Sequence, residues 1–122
     1  MLMAKVSDVL ISLYKIALPF CERRKIALNL DLADPSLTVD ISERILKYEL
    51  RTYIQNSFSR TKQGAITIGS KSGQKDVLIF IKDTGSAIPK SQRTAMEANP
   101  HVQVHSRHGY GTTITLKYPK TI

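Results

Sequence analysis

The sequence predicts an α/β (α+β) sandwich of two layers, in which a mixed, mostly antiparallel sheet carries about three helices on one face. In the N-terminal half, two segments repeat apolar residues at steps of three and four, and a strand-like run lies between them. The C-terminal half contains two pairs of strand-like runs, separated by a segment that begins with proline. The predicted order is α-β-α-β-β-α-β-β, and hairpins combined with crossover helices are typical of this architecture.

The first helix is predicted over residues 6–20, with Ser7 or Asp8 near its start. Pro19 lies near its end, and because proline has no backbone N–H, we expect the last turn to be kinked or broken. The next run, "KIALNLDL", alternates large apolar residues with small or polar ones. This two-residue period predicts a half-buried strand.

A second helix follows the loop "ADPSLTVD" and is predicted to extend to about Phe58. Asp40 or Ser42 can cap its start, and Gly64 in "TKQG" is a residue type that commonly ends a helix. Its predicted buried stripe consists of Leu46, Leu50, Tyr53, Ile54 and Ser57.

The C-terminal half begins with "AITIGSKSGQKDVLIFIKD", which predicts two strands around a polar turn at residues 72–75. "PKSQRTAMEAN" predicts a short helix with Pro89 at its first position, and "HVQVHSR", "HGYG" and "TTITLKY" predict a closing hairpin. The hairpin carries three histidines, His101, His105 and His108, and one interpretation of them is a metal site. An exposed polar strand face is the favoured interpretation, because no fourth ligand of obvious type is near.

Length and composition indicate a single domain that spans residues 1–122. A chain of 122 residues with 42% apolar and 23% charged residues can build one hydrophobic core. The single cysteine, Cys21, excludes an internal disulfide and favours a reducing compartment, so we expect a cytoplasmic protein. Asp8 and Lys15 interrupt the N-terminal apolar stretch, which argues against a signal peptide, and no run approaches the ~20 apolar residues of a membrane span.

The net charge of +8 makes an anionic partner plausible, such as a nucleotide or an acidic protein face. The cations are scattered singly or in pairs, and the densest group, "ERRK", includes a glutamate. No groove-reading motif accompanies the charge, so a nucleic-acid partner is not favoured.

The stretch "IKDTGSAIPK" places one carboxylate, Asp83, directly after an apolar strand and before residues with very small side chains. One interpretation is a turn, because aspartate and glycine are common turn residues. The other is a pocket, in which Asp83 points at a ligand and Gly85 lets that ligand come close.

Three motifs in the same order resemble the ATP-binding catalytic domain of sensor histidine kinases, within the group that includes gyrase, Hsp90 and MutL. They are "LRTYIQNSFSRTKQG", "DTGSAIP" and "VQVHSRHGYGTTITLKYP", and the resemblance covers nearly the whole chain. It implies a Bergerat-type ATPase fold and a role in two-component signalling. It also implies ATP or ADP with Mg²⁺ as cofactor, and a phosphoacceptor-histidine domain or a response regulator as protein partner, while a homodimer stays open.

The resemblance assigns roles to six residues. Asp83 matches the adenine-binding carboxylate, Thr112 matches a threonine that supports the adenine contact, and Asn56 matches the asparagine that holds Mg²⁺. The implied nucleotide-binding set is Asn56, Asp83, Gly85, Ala87, Ile88 and Thr112. These roles suit the residue types, because a carboxylate accepts a hydrogen bond from an amino group and Mg²⁺ prefers oxygen ligands.

The chain departs from the family most at the phosphate end. Only residues 90–100 separate the adenine motif from the closing hairpin, where the family has a mobile lid and a second glycine-rich motif. Within "DTGSAIP", Ala87 replaces a glycine, and Ser59-Arg60 replaces a usual lysine-aromatic pair. Because glycine-rich backbone at a helix N-terminus normally binds phosphate, these departures predict weak phosphate binding.

Two functional hypotheses follow. The first is a truncated histidine-kinase-type ATP-binding domain that is weak or inactive in nucleotide binding, with a degenerate phosphate site that leaves enzymatic activity open. The second is a pseudo-ATPase whose scaffold serves protein–protein contacts or regulation. No catalytic residue is assigned in either, because no glutamate lies four residues before Asn56, where gyrase-like members carry a general base.

Overall fold

A five-stranded mixed sheet forms one layer of the computed structural model, which describes residues 3–121. Its strands lie in the order β2-β4-β5-β7-β6. The strands are β2 (Ile26–Leu32), β4 (Gly64–Ser72), β5 (Asp76–Asp83), β6 (Val102–Arg107) and β7 (Gly111–Pro119). Only β2 and β4 pair in parallel, and the other three pairs are antiparallel. The mixed, mostly antiparallel sheet is therefore confirmed.

Three helices accompany the sheet: α1 (Val6–Arg23), α2 (Glu43–Arg60) and α3 (Lys90–Glu97). The apolar sides of α1 and α2 form one core with the side chains of one sheet face, among them Ile68, Ile79, Ile81, Ile114 and Leu116. Short α3 packs against the edge strand β6. In residues 3–121, no helix is long and apolar enough to cross a membrane.

Helix α2 follows the predicted pattern closely. The hydroxyl of Ser42 caps it by accepting a hydrogen bond from the Ile45 backbone N–H at 3.2 Å. Leu46, Leu50, Ile54 and Ser57 are buried, as the stripe predicts, while Tyr53 is half-buried. This phase matters for the site, because the same helix delivers residues 56–60 to the end of β5.

Two local expectations were wrong. Helix α1 continues through Pro19 to Arg23 instead of breaking, because Pro19 lies on the exposed side, where a lost backbone hydrogen bond is solvated. Two short strands, β1 (Ala4–Lys5) and β3 (Thr38–Val39), form an additional antiparallel pair, and β3 lies in the segment "ADPSLTVD" that was predicted to be a loop. Elements of two residues have no periodicity that a sequence pattern can reveal.

Candidate functional site

The predicted site residues meet where strand β5 ends. The last residue of β5, Asp83, pairs with Thr112 of β7 on one side and with Ile66 of β4 on the other. The C-terminal turn of α2 lies over this point and brings Asn56 and Arg60 to it. Sheet register and helix phase together therefore gather residues that are far apart in the chain.

The Asp83 carboxylate is buried and fully engaged by this chain's own donors. Its residue is 2% exposed. Oδ1 accepts hydrogen bonds from the Gly85 N–H at 2.9 Å and from Arg60 Nη1 at 3.2 Å, and Oδ2 accepts one from Arg60 Nη2 at 2.8 Å. The two arginine contacts form a two-pronged ion pair, the geometry in which a planar guanidinium matches a carboxylate best.

The Arg60 guanidinium makes further contacts on its other edges. Nε donates to Asn56 Oδ1 at 2.9 Å, and Nη1 also donates to the Ser86 carbonyl at 2.8 Å and to Thr112 Oγ1 at 3.2 Å. We call the space bordered by Asn56, Asp83, Ser86 and Thr112 the Asp83 pocket. The Arg60 guanidinium lies within hydrogen-bonding distance of all four.

A hydroxyl pair holds the far side of the Asp83 pocket. Thr112 Oγ1 and Ser106 Oγ lie 2.7 Å apart, and Ser106 Oγ accepts a hydrogen bond from the Ile88 N–H at 2.8 Å. Ile88 is buried, whereas Ala87 is half-buried. The "DTGSAIP" segment is thus connected to the closing hairpin through Ser106, a residue that the sequence analysis did not single out.

Gly85 is required by a close backbone contact. A Cβ built at this position would lie 2.4 Å from the Arg60 carbonyl oxygen, and the adjacent Ser86 N–H donates to that same oxygen at 3.0 Å. The absence of a side chain at Gly85 therefore lets the end of α2 pack onto the loop after β5. The neighbour that comes close in this structure is the helix end of this chain, whereas the sequence predicts a close approach by a ligand.

The residues present do not fit Mg²⁺ at Asn56. Its Oδ1, the oxygen that would coordinate the ion, accepts a hydrogen bond from the positively charged Arg60. A divalent cation bound to the same oxygen would face that guanidinium at close range, which is unfavourable. Within residues 3–121, no cluster of three histidine, cysteine or acidic residues is arranged for a metal, and His101, His105 and His108 are exposed.

The phosphate end of the predicted site consists of α3 and the loops that flank it. The eight residues of α3 contain no glycine, and none of them is fully buried. On α2, Ser59, which with Arg60 stands where the family has a lysine-aromatic pair, is exposed. A polar depression of about 410 Å³ beside Thr112 is lined by three basic side chains, from Arg93, His105 and Arg107. It is open to solvent, where salt screens charges strongly.

A second depression, an apolar groove of about 330 Å³, lies between α1 and α2. We call it the α1–α2 groove. Its lining includes Leu13, Ile16, Phe20, Ile54 and Phe58. Ile16 and Phe20 are 58% and 51% exposed, which is high for large apolar side chains.

Arg60 is the central residue that sequence reasoning missed. In the sequence it shows only as a departure from a lysine-aromatic pair. A usable signal was its spacing: Arg60 follows Asn56 by four residues, so both lie on one face of α2. Its other partners, at positions 83, 86 and 112, come together only in the folded chain.

The fold is shared with catalytic domains of histidine kinases. The chain is similar to the catalytic domain of histidine kinase ThkA in a nucleotide-free form, with a TM-score of 0.85 and 16% identity over 98% of this chain and 95% of that one. It is also similar to full-length ShkA in complex with AMPPNP, with a TM-score of 0.85 and 16% identity over 99% of this chain and 32% of ShkA.

A third similar structure is histidine kinase ThkA in complex with the response regulator protein TrrA, with a TM-score of 0.79 and 16% identity over 98% of this chain and 41% of that one. No protein-family model and no curated protein sequence gives a significant match. The α/β fold that the sequence motifs implied, that of a histidine-kinase catalytic domain, is therefore confirmed. The roles assigned to individual residues stay predictions.

Proposed function

We propose that this chain is a histidine-kinase-type domain of two-component signal transduction that binds adenine nucleotide weakly and does not turn over ATP by itself. The observation that carries the proposal is the connection between β5 and β6. In place of a glycine-rich loop, it contains the single short helix α3, and residues 90–100 include no glycine. The shared fold supports the kinase-type assignment, and the connection supports the weakness.

Phosphate groups need donors fixed in place before binding. A glycine-rich backbone at a helix N-terminus supplies such donors, together with the positive end of the helix dipole. Near α3 the available positive charges are the side chains of Lys90, Arg93 and Arg107, and Lys90 and Arg107 are exposed. Mg²⁺ depends on phosphate oxygens for most of its non-water ligands, so weak phosphate binding also removes the basis for a strong Mg²⁺ effect.

The partners that suit this proposal belong to the same signalling class. ThkA binds a response regulator in a solved structure, and ShkA binds the nucleotide analogue AMPPNP. By analogy, the present chain would act beside a phosphoacceptor-histidine domain or a response regulator in the cytoplasm, with ATP or ADP as its nucleotide. A homodimer is compatible with this role.

Calorimetric titration with AMP, ADP and ATP, each with and without Mg²⁺, tests the proposal. We expect the three affinities to be weak and similar, Mg²⁺ to add little, and phosphate release from ATP to stay at the background rate. The Lys90→Ala variant is a matched probe of the phosphate end and should bind ATP as the wild type does. An affinity that rises steeply from AMP to ATP only with Mg²⁺, or measurable ATP hydrolysis, would overturn the proposal.

The α1–α2 groove favours a second candidate function, a non-catalytic protein-interaction module. Two large apolar side chains, Ile16 and Phe20, stand exposed at the groove, and Arg51 lines it. The exposed Arg23 and Arg24 lie over the rings of two groove residues, Phe20 and Phe58. A second copy of this chain would bring like charges together. The groove therefore suits an amphipathic partner helix that carries apolar anchors at helical spacing and acidic residues beside them.

A pair of synthetic amphipathic peptides tests this second candidate. Both carry the same leucine anchors, but one has flanking glutamates and the other flanking lysines. The glutamate peptide should bind the wild type, and the Ile16→Glu variant should lose that binding because a charge then stands in the groove. Equal binding of the two peptides, or no binding of either, would count against the module.

A further inference from the structure

We propose that Arg60 is the built-in occupant of the Asp83 pocket and that this side chain, more than any other, sets the nucleotide affinity of the chain. The inference rests on the proposed function, because it takes the Asp83 pocket as the adenine end of the site. It goes beyond that function by naming the residue that closes this end.

The N–H donors of the Arg60 guanidinium are all engaged by acceptors of this chain. A guanidinium has five N–H bonds. Its three nitrogens contact six acceptor atoms between 2.8 and 3.5 Å, the longest being Nη2 to Ser57 Oγ. The side chain is 11% exposed and that of its partner Asp83 is 0% exposed. Moving the Arg60 guanidinium into water would separate it from Asp83 and leave that carboxylate buried without its counter-charge. The free energy gained by hydrating the cation is therefore largely lost.

Arg60 uses the same acceptors that a ligand in the Asp83 pocket would need. Both oxygens of Asp83 are engaged, and the Thr112 hydroxyl and the Asn56 amide oxygen accept from the same guanidinium. An adenine amino group offers a planar N–H donor to Asp83, as the guanidinium does. The two therefore compete for one carboxylate, and binding can proceed only from the fraction of molecules in which Arg60 has moved away. Apparent affinity falls in proportion to that fraction.

The backbone of Arg60 is fixed at the Asp83 pocket. Arg60 is the last residue of α2, and its carbonyl oxygen accepts the Ser86 N–H while packing against Gly85. The side chain therefore starts beside the "DTGSAIP" segment, and no loop has to move for it to reach Asp83. Any planar heterocycle that presents an amino donor, adenine included, meets this arginine first.

The test compares nucleotide binding by the wild type with binding by Arg60→Ala and Arg60→Lys. We expect Arg60→Ala to bind AMP and ADP about tenfold or more tightly than the wild type, because its pocket no longer has to open. Arg60→Lys should fall between them, since lysine keeps the charge but loses the planar fork. The matched control is Arg24→Ala, because Arg24 also bonds the end of α2, through the Phe58 and Thr61 carbonyls, but does not touch Asp83.

A measurement on the wild type keeps the proposal open to refutation if Arg60→Ala fails to fold. The Nε–H of Arg60 should exchange with water far more slowly than those of the exposed arginines in nitrogen-15 NMR spectra, and millimolar ADP should leave its signal in place. Fast exchange at Arg60, or loss of its protection at low ADP concentration, would overturn the inference.

The outcomes separate this inference from the proposed function. Weak binding by the wild type with no gain in a folded Arg60→Ala contradicts the inference alone, because the phosphate end would then be sufficient to explain weak binding. Tight, Mg²⁺-dependent ATP binding by the wild type contradicts the proposed function directly. A gain that appears equally in Arg24→Ala would show an effect of α2 stability and would also refute the role of Arg60.

Discussion

The phenol of Tyr118, near the end of β7, donates a hydrogen bond to the Glu49 carboxylate on α2, and so ties the helix to the sheet at the end opposite Asp83. Tyr118 is 4% exposed. Burial, followed by the hydrogen bond and the negative charge of Glu49, raises the pKa of Tyr118 far above its usual range. The neutral phenol is therefore the form that the folded state requires.

This pair predicts a loss of stability in alkaline solution. In the unfolded chain, Tyr118 ionises near pH 10, whereas in the folded chain its raised pKa keeps it neutral. The stabilisation is thus complete below about pH 10 and falls as the pH rises further, because only the unfolded state releases the proton. Urea unfolding at increasing pH should show this decline.

The same linkage predicts the behaviour of a Tyr118→Phe variant. It should be less stable than the wild type near neutral pH, because Glu49 loses its partner, and its stability should decline less above about pH 10. Tyr48 is the matched control, since it is 75% exposed on α2, and Tyr48→Phe should keep the alkaline decline of the wild type. Identical pH profiles for the wild type and Tyr118→Phe would refute the assignment.

The packing of α2 predicts a clear ranking of two variants. Leu50 is fully buried in the core, so Leu50→Ala should lower the free energy of unfolding by about 2–5 kcal/mol. Lys47 makes an i,i+4 ion pair with Glu43, and both side chains are more than a third exposed, so Lys47→Ala should cost about 0.5 kcal/mol or less. Denaturant unfolding of both variants measures the ranking, and a reversed order would mean that the helix faces the sheet differently.

Cys21 predicts slow thiol chemistry in the folded state. Its side chain is buried in the core beside the α1–α2 groove, and burial raises the pKa of the thiol, although Arg24 acts in the opposite direction. Since the thiolate is the reactive form, an aromatic disulfide reagent should label Cys21 slowly in buffer and rapidly in urea. Equal rates in the two conditions would show that the groove opens readily to solvent.

The elements that the sequence predicted are those whose signals are local. The period of β2, the turn at residues 72–75 and the Ser42 cap each depend on neighbouring residues, and all three are present in the structure. The continuation of α1 through Pro19 could not be predicted locally, because the helix is held by packing on its buried side. Tertiary contacts outweigh one lost hydrogen bond there.

In the candidate site, too, some contacts were predicted from the sequence and others were not. Family resemblance placed Asp83 and Thr112 together, and they are neighbours across β5 and β7. The use of that carboxylate by Arg60 is a long-range relationship, because 23 residues separate the two in the chain. Composition and periodicity carry no information about such a pair. The sequence shows that Arg60 stands where the family has an aromatic residue. It does not show where the Arg60 side chain points or that Asp83 is its partner.

The buried ion pair between Arg60 and Asp83 predicts that Asp83→Asn destabilises the fold even when no ligand is added. The change leaves the guanidinium buried without a counter-charge, and removing one partner of such a pair typically costs about 3–5 kcal/mol. Asp76, at the start of the same strand, is the matched control, because it has no ion-pair partner among residues 3–121, and Asp76→Asn should change stability by about 0.5 kcal/mol or less.

In a double-mutant cycle, Arg60→Ala combined with Asp83→Asn should be less harmful than the sum of the two single changes, because neither charge is then stranded. Strict additivity in urea unfolding would mean that the two side chains do not depend on each other, and it would refute Arg60 as the occupant of the Asp83 pocket.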